Sequence, residues 1–380
     1  MSRSALLAAA ALGVILLVGV VVWVLVVADE GRDVPADDDP VAERVLGELD
    51  GYLGWLDEHG VDGFIGEVSW PSDDPTGQWT QLAESWLDRT AAADVPVTYW
   101  GAGEVFDPDT VPYLAYASSE GAGEPLDTVL PPGELLEQRW DEQPLGLNSV
   151  GGSYNTCAVR DVCEFFDASS PGRLGEEWQF DSTETLEFYA DRGVELLRVE
   201  LRWERIQPEL EGPFDEEVAT EFERVLDDAE RLGMDVILDL HNYGSYYVED
   251  ETTGDGVRLL LGEDLDPGLL TDIWFGLAGR FGDHPAITAY GLMNEPRGMG
   301  VEAWEAMSAA TVGALRDDGD DTPILVGGYD LSNVHSWPHA EPWVDAPDVS
   351  YEAHHHLDRF HGASYDYTYE EEIEFERTER

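Results

Sequence analysis

AITAYGLMNEP, residues 286–296, runs through eight mostly apolar residues and then stops on Asn294, Glu295 and Pro296. An unbroken apolar run of that length reads as a β-strand covered on both faces, and the polar residues at its end lie where the chain leaves the sheet. The same design recurs along the chain. Upstream are LGLNSV (145–150), VELLRVEL (194–201) and MDVILDLH (234–241); downstream are PILVGG (323–328) and DVSYEAH (348–354). Two more, VDGFIGEV (61–68) and PVTYWGAG (96–103), lie far toward the N-terminus.

Helical patterns separate most of these runs. Val45, Leu46, Leu49, Leu53 and Leu56 recur at helical spacing over 43–59, ending at Gly60. Others are expected near 79–93, 268–281 and 301–316, and another carries Val218, Phe222, Val225, Ala229 and Leu232 before Gly233. Asp181 with Glu184 reads as a capping box opening a helix at about 182–192. A loop-rich stretch follows residue 103, then a connector rich in Pro, Gly and acids at 121–144. Eight continuous apolar strands alternating with helices predict an α/β fold, a closed (β/α)8 TIM barrel. No G-x-G-x-x-G or Walker loop argues for a nucleotide fold.

Composition narrows the setting. The 380 residues carry 81 acidic and 20 basic side chains, a net charge of −61, and every basic residue is Arg. Such a surface repels itself at low salt and is at home in molar salt, where the Debye length is about 3 Å. A halophilic protein is the reading; nucleic acid is excluded as a partner, because its phosphates would be repelled. Residues 5–27 hold no charge and are long enough to cross a bilayer. They predict a transmembrane anchor (1–28), with Arg3 inside and an acidic linker (29–42) carrying the catalytic body outside, so the membrane is an expected partner and the localisation is extracytoplasmic. Cys157 and Cys163 could close a small disulfide loop or remain thiols.

Barrel active sites sit at the C-terminal ends of strands. Here those ends supply Glu67, Trp100, Asn148, Arg198, His241 with Asn242, Asn294 with Glu295, and His354. Two acids among Arg, His, Asn and Trp suit a sugar, whose hydroxyls want polar partners and whose ring faces stack on aromatics.

RVELRWERIQP (198–208), LDLHNYG (238–244), LMNEP (292–296), YEAHHHLD (351–358), GFIGEVSWP (63–71) and TYWGAG (98–103) resemble the motifs of glycoside hydrolase family 5, the cellulase-like retaining β-glycanases. The resemblance spans about 45 to 365 but departs from the family order, in which the segments matching Glu67 and Trp100 come last. A circular permutation is the expectation, with family strands 7–8 at 61–103, a connector at 121–144 and family strands 1–6 at 145–354, all within a barrel at 43–380.

The resemblance implies that Glu295 is the general acid/base and Glu67 the nucleophile. It further implies that Asn294 holds the sugar 2-hydroxyl, Arg198 hydrogen-bonds the nucleophile, His241, Asn242 and His354 line the substrate, and Trp100 is a stacking platform. Tyr243 and Trp337 are candidates for further subsites, as are Trp70, Trp79 and Trp203. His356 stands where the family has a Tyr that bonds the nucleophile, with Tyr365 or Tyr351 as alternative substitutes. Competing readings are an ion pair of Arg198 with Glu200 or Glu204, and packing roles for the aromatics. In the His354–His356 run, alternate side chains face opposite ways, so only His354 and His356 could share a metal, and none is expected.

The implied activity is endo-β-1,4-glucan hydrolysis by double displacement without a cofactor, with polysaccharide or oligosaccharide as substrate. β-Mannan and β-1,3-glucan are the alternatives, and the competing class is a carbohydrate-binding surface protein that has lost turnover.

Overall fold

The computed structural model describes residues 39–140, 142–155, 171–249 and 256–379. The expected anchor at 5–27, most of the acidic linker and both cysteines lie outside the described residues. Among the described residues no helix is long and apolar enough to cross a membrane.

Eight parallel strands close a barrel. In chain order the strands are β1 (Asp62–Ser69), β2 (Val97–Ala102), the short pair β3 (Tyr116–Ala117) and β4 (Thr128–Val129), β5 (Leu145–Ser149), β6 (Leu196–Leu201), β7 (Asp235–Leu240), β8 (Ser245–Glu249), β9 (Gly256–Leu260), β10 (Ile287–Gly291), β11 (Ile324–Gly327) and β12 (Val349–His356). Around the ring they run β5-β6-β7-β10-β11-β12-β1-β2, with β2 pairing back to β5. The strand nearest the C-terminus therefore pairs in parallel with the first one, Phe64 opposite Glu352 and Glu67 opposite His354.

The helices form where their apolar periods predict, and their ends have physical causes. Helix Glu216–Leu232 starts at Asp215, whose carboxylate accepts from the Glu217 and Val218 amides, and stops at Gly233 in the left-handed region. The helix over Thr183–Ala190 is capped by Ser182, which accepts from Thr185 N. Asp181, expected in that role, instead accepts from the Ser149 hydroxyl and the Glu104 amide, tying β5 to the segment after β2.

Inside the barrel, chemistry changes layer by layer. Phe64, Ile237, Ala289 and Leu325, with Leu196 against them, form an apolar plug. Two residues further along each strand the inward positions become Gly66, Asp239, Gly291, Gly327 and Arg198, since alternate residues share a face. The plug seals the barrel, and the polar layer above it is the floor of the site.

Candidate active site

Arg198 is the hub of that floor. It is wholly buried, and its Nη1 donates to Asn148 Oδ1 (2.9 Å) and Glu67 Oε1 (3.3 Å). Its Nη2 donates to Asn294 Oδ1 (2.7 Å) and Asp239 Oδ1 (2.9 Å), and its Nε lies 3.0 Å from Glu352 Oε1. A buried guanidinium needs such partners to offset its lost hydration. Glu200 is 4.0 Å away, so the ion pair expected with it is the weakest of the set.

Glu67 is 3% exposed. Its Oε1 meets Arg198, while Oε2 lies 3.6 Å from His354 Nδ1 and 3.4 Å from His356 Nε2. Burial pushes this carboxyl up, but His354, His356 and Arg198 together outweigh it and hold it well below the usual carboxylate range. Glu67 is therefore an anion that accepts a hydrogen bond from Arg198 and has His354 and His356 beside it. His356 takes the place expected of a Tyr: the Ser69 hydroxyl lies 2.8 Å from its Nδ1. Tyr365 reaches Ser69 rather than Glu67, and the Tyr351 hydroxyl accepts from the Trp343 and Val344 amides on the outer wall.

Glu295 takes a left-handed conformation, φ 45°, which a side chain adopts only where its surroundings enforce it. Its Oε1 lies 3.0 Å from His354 Nδ1. His354 thus sits against both acids, and its Nε2 is 3.4 Å from Glu352 Oε1. Burial lowers the His354 pKa, yet Glu67, Glu295 and Glu352 push it up to about 10. Oxygens of Glu67 and Glu295 and His354 Nδ1 all lie within 4.8 Å of one another. Carboxyl groups about 5–5.5 Å apart can work as nucleophile and acid on one acetal carbon; a wider gap of roughly 6.5–9.5 Å would leave room for a water instead.

The surrounding groups divide into those the barrel brings to the acids and those it does not. Asn294 is 1% exposed, with Oδ1 on Arg198 and Nδ2 3.0 Å from His241 Nε2. His241 Nδ1 bonds Asp239 Oδ2 at 2.8 Å, and burial of that ring is outweighed by Glu200 and Asp239, which raise its pKa. Tyr243 reaches His241 Nε2 at 3.3 Å. Trp100 donates to Glu200 Oε1 (3.1 Å), is 6% exposed, and has Tyr113 stacked on its ring at 5.0 Å. Phe106, Tyr154 and His356 also lie against that ring, so most of Trp100 is packed within the protein.

Two of the candidate residues lie away from the acids. Asn242 does not face the cleft: its amide donates to both Glu204 oxygens (2.9 Å each) and its carbonyl accepts from Trp203 N, which fixes the loop after β6. Trp337 lies on the outer wall, packed against Trp55 (4.9 Å) and Tyr52 (5.7 Å) of helix Pro40–His59, because the segment after β11 folds outward to meet that helix. Trp70, Trp79 and Trp203 are core residues.

Asp239 and Glu352 are site residues missing from the sequence reading, and Glu200 entered it only as a competing ion-pair partner of Arg198. Each lies two positions from a recognised one, in R-V-E, D-L-H and E-A-H, and so shares its inward face. Burial, with the charges of Glu67 and Asp239, raises Glu200 to about 7 despite His241 and Arg198.

Glu48, His355 and His361 form a second cluster with metal-ligand spacing. Trp86 Nε1 donates to His355 Nδ1 at 3.0 Å, so the proton of the neutral ring sits on Nε2 toward Glu48. No lone pair remains there for a metal, and the cluster joins helix Pro40–His59 to the end of β12 instead.

A barrel that closes on a buried nucleophile-like carboxylate and a second acid across one histidine defines the class of barrel glycosidases by its site. Residues 160–374, over half the chain, match the family model for cellulase, glycosyl hydrolase family 5, and the chain belongs to that family. It is 26% identical over 220 residues to endoglucanase gh5-1 of Neurospora crassa, covering 56% of this chain and 50% of that protein. With endo-beta-1,4-glucanase A of Emericella nidulans it shares 27% over 226 residues, 56% of this chain and 60% of the relative. The chain thus spans about half to three fifths of the curated relatives it matches. The crystal structure of Pseudomonas stutzeri endoglucanase Cel5A in complex with cellobiose is 29% identical, covers 58% of this chain and 62% of that one, and superposes with a TM-score of 0.48.

Proposed function

We propose that this chain is a retaining endo-β-1,4-glucanase. The observation that carries the reading is the approach of Glu67 and Glu295 within 4.8 Å across His354. Glu67, held ionised, attacks the anomeric carbon while Glu295 gives its proton to the leaving oxygen; the bond to the leaving group breaks as the glycosyl–Glu67 ester forms. Glu295, now the base, takes a proton from water, whose oxygen displaces Glu67 with the starting configuration restored. Arg198 and His356 orient the nucleophile, and Asn294, fixed between Arg198 and His241, is placed to hold the 2-hydroxyl. Relatives named as endoglucanases favour β-1,4-glucan over β-mannan or β-1,3-glucan.

Residues 30–380 should release reducing ends from a soluble mixed-linkage β-glucan with retained anomeric configuration by NMR. Glu67→Gln and Glu295→Gln should each lower kcat by at least about 10³-fold. Folded protein that binds the glucan without cleaving it would favour the non-catalytic reading. Running the assay at 0.1 M and 2 M NaCl tests the halophilic reading that the net charge of −61 supports; equal stability in both would remove it. The apolar run at 5–27 supports a membrane-held, extracytoplasmic enzyme, tested by fractionating cells that express the full chain or residues 30–380.

We further propose that the barrel is circularly permuted. Read from β5 around the ring, the strand-end residues come in the order Arg198, His241, Asn294–Glu295, His354, Glu67, Trp100, which is the order of the family motifs.

A further inference from the structure

Acidic residues outnumber arginines by four to one in this chain, and the described arginines of the outer helices are mostly paired with them. Arg258 and Arg297 break the pattern. Arg258, in the middle of the return strand β9, gives its Nε to the Ser245 hydroxyl (3.0 Å) and its Nη2 to the carbonyls of Tyr243 (3.1 Å) and Arg297 (3.2 Å). Arg297, exposed and two residues beyond Glu295, lays its guanidinium over the Tyr243 ring at 4.9 Å. Among the described residues neither has a carboxylate within ion-pair distance. Arg202 approaches the same ring, 5.6 Å from its centroid, so the phenol that touches His241 carries cations around it.

Two like charges held together cost energy: burial, and with it the charge of Arg297, lowers the affinity of Arg258 for its proton. In a chain so rich in acids, two guanidinium groups brought together beside the acid-bearing loop with no ion pair to a carboxylate of the described residues leave a site for an external anion. The fork of Arg297 is free to bind one side-on, while Arg258, spent on carbonyls, fixes the backbone that carries it. Glu295 protonates the leaving oxygen, so its loop borders the sugars of the leaving group.

We propose that Arg297, positioned by Arg258 and Tyr243, binds an anionic substituent, carboxylate or sulfate, on the leaving-group side of the glycan, so that the substrate class is an acidic β-glycan. The proposal rests on the glucanase reading for the direction of the cleft. The chain's own charge opposes a polyanion at long range. In molar salt that field is screened within about 3 Å, while a contact pair survives.

The test compares carboxymethylcellulose and cellulose sulfate with hydroxyethylcellulose, as kcat/KM and as retardation of Glu295→Gln protein in gels containing each polymer. Arg297→Gln should lower the ratio of anionic to neutral kcat/KM by three- to tenfold, and Arg297→Lys should recover part of it; the retardation ratio should move likewise. Carboxymethylcellulose and cellulose sulfate responding unequally would say which anion the fork fits. Ratios unchanged within 1.5-fold in both readouts would overturn the proposal. Wild-type protein that cleaves none of the polymers would defeat the glucanase reading alone, since the retardation ratio still decides whether Arg297 takes the anion.

Discussion

His354 concentrates the electrostatics of the site into one side chain. It lies against Glu295 at 3.0 Å and Glu352 at 3.4 Å, with Glu67 at 3.6 Å, and is buried among them. A histidine whose folded pKa is raised to about 10 contributes stability that is complete below the unfolded value of about 6.5. That contribution is lost as pH rises through about 10. The melting temperature of the wild type should therefore fall between pH 7 and pH 10, and less steeply in His354→Asn, measured by circular dichroism. The same variant should lose roughly 10²-fold in kcat, because both acids lose the group that sets their separation. An equal alkaline slope in both proteins would mean that another group carries it. At this scale much of the site was legible: Glu67, His241, Asn294, Glu295 and His354 each stand where an apolar run ends, and Arg198 stands within one. Asp239 and Glu352 were hidden because they interrupt those runs from inside, and Glu200 showed only as an ion-pair partner of Arg198. A charge within an apolar strand is costly unless paired, and the pairing partner, Arg198 or His241, lies on another strand.

Strand β1 shows how an element aims a side chain. Phe64 faces the plug, Ile65 pairs with Ala353, and Glu67 pairs with His354, so Gly66 is an extra residue in the ladder. A bulge of this kind turns the residue after it, which brings Glu67 inward directly behind an inward Gly66. The bulge is held by the next two strands of the ring: Gly66 O accepts from the Thr98 hydroxyl of β2 (2.5 Å) and from Asn148 Nδ2 of β5 (2.9 Å). A methyl group on Gly66 would come within 1.9 Å of Glu352 Oε1 and 2.8 Å of His354 Nε2. Those atoms are fixed by Arg198 and the acids and have nowhere to go. Gly66→Ala should therefore cost about 1–3 kcal/mol of stability in denaturant titration and more than tenfold in kcat. A variant with native activity would show that the polar layer can yield. The sequence shows the strand but not its bulge, since a single inserted residue leaves the apolar run intact. It likewise hid the β8–β9 hairpin, whose strands Ser245–Glu249 and Gly256–Leu260 are too short and mixed to stand out.

For the molecule as a whole, the informative place is the seam where the helices Pro40–His59 and Tyr369–Glu379 meet. Helix Pro40–His59 lies beside helix Tyr369–Glu379, with Arg44 Nε 2.7 Å from Glu376 and Arg44 Nη2 donating to Leu357 O. Glu48 of the first helix bonds His355 Nε2 at 3.3 Å at the end of β12. β12 and β1 pair in register across the same seam, so the barrel closes there without a covalent link. The groups of the site come from strands joined in one ring, whatever their order along the chain. A relinked protein should then work: residues 122–379, a Gly/Ser linker, then residues 40–121. Arg44 lies four residues after Pro40 and Glu376 three before Glu379, about 6 and 4.5 Å along their helices. A linker of about eight residues, spanning roughly 16 Å, bridges that gap. The cut falls between Gly121 and Ala122 in the loop joining β3 to β4, a turn at the protein's surface that such rearrangements tolerate. Glu67 and Trp100 would then follow His354 in sequence, as in the family order. The relinked protein should match the parent within about threefold in kcat/KM on β-glucan, with one cooperative melt. A chain that folds but does not turn over would show that the present ends hold the acids in place. One that does not fold would show that the N-terminal helix must be made first, and that the order of the segments is part of how this barrel is built.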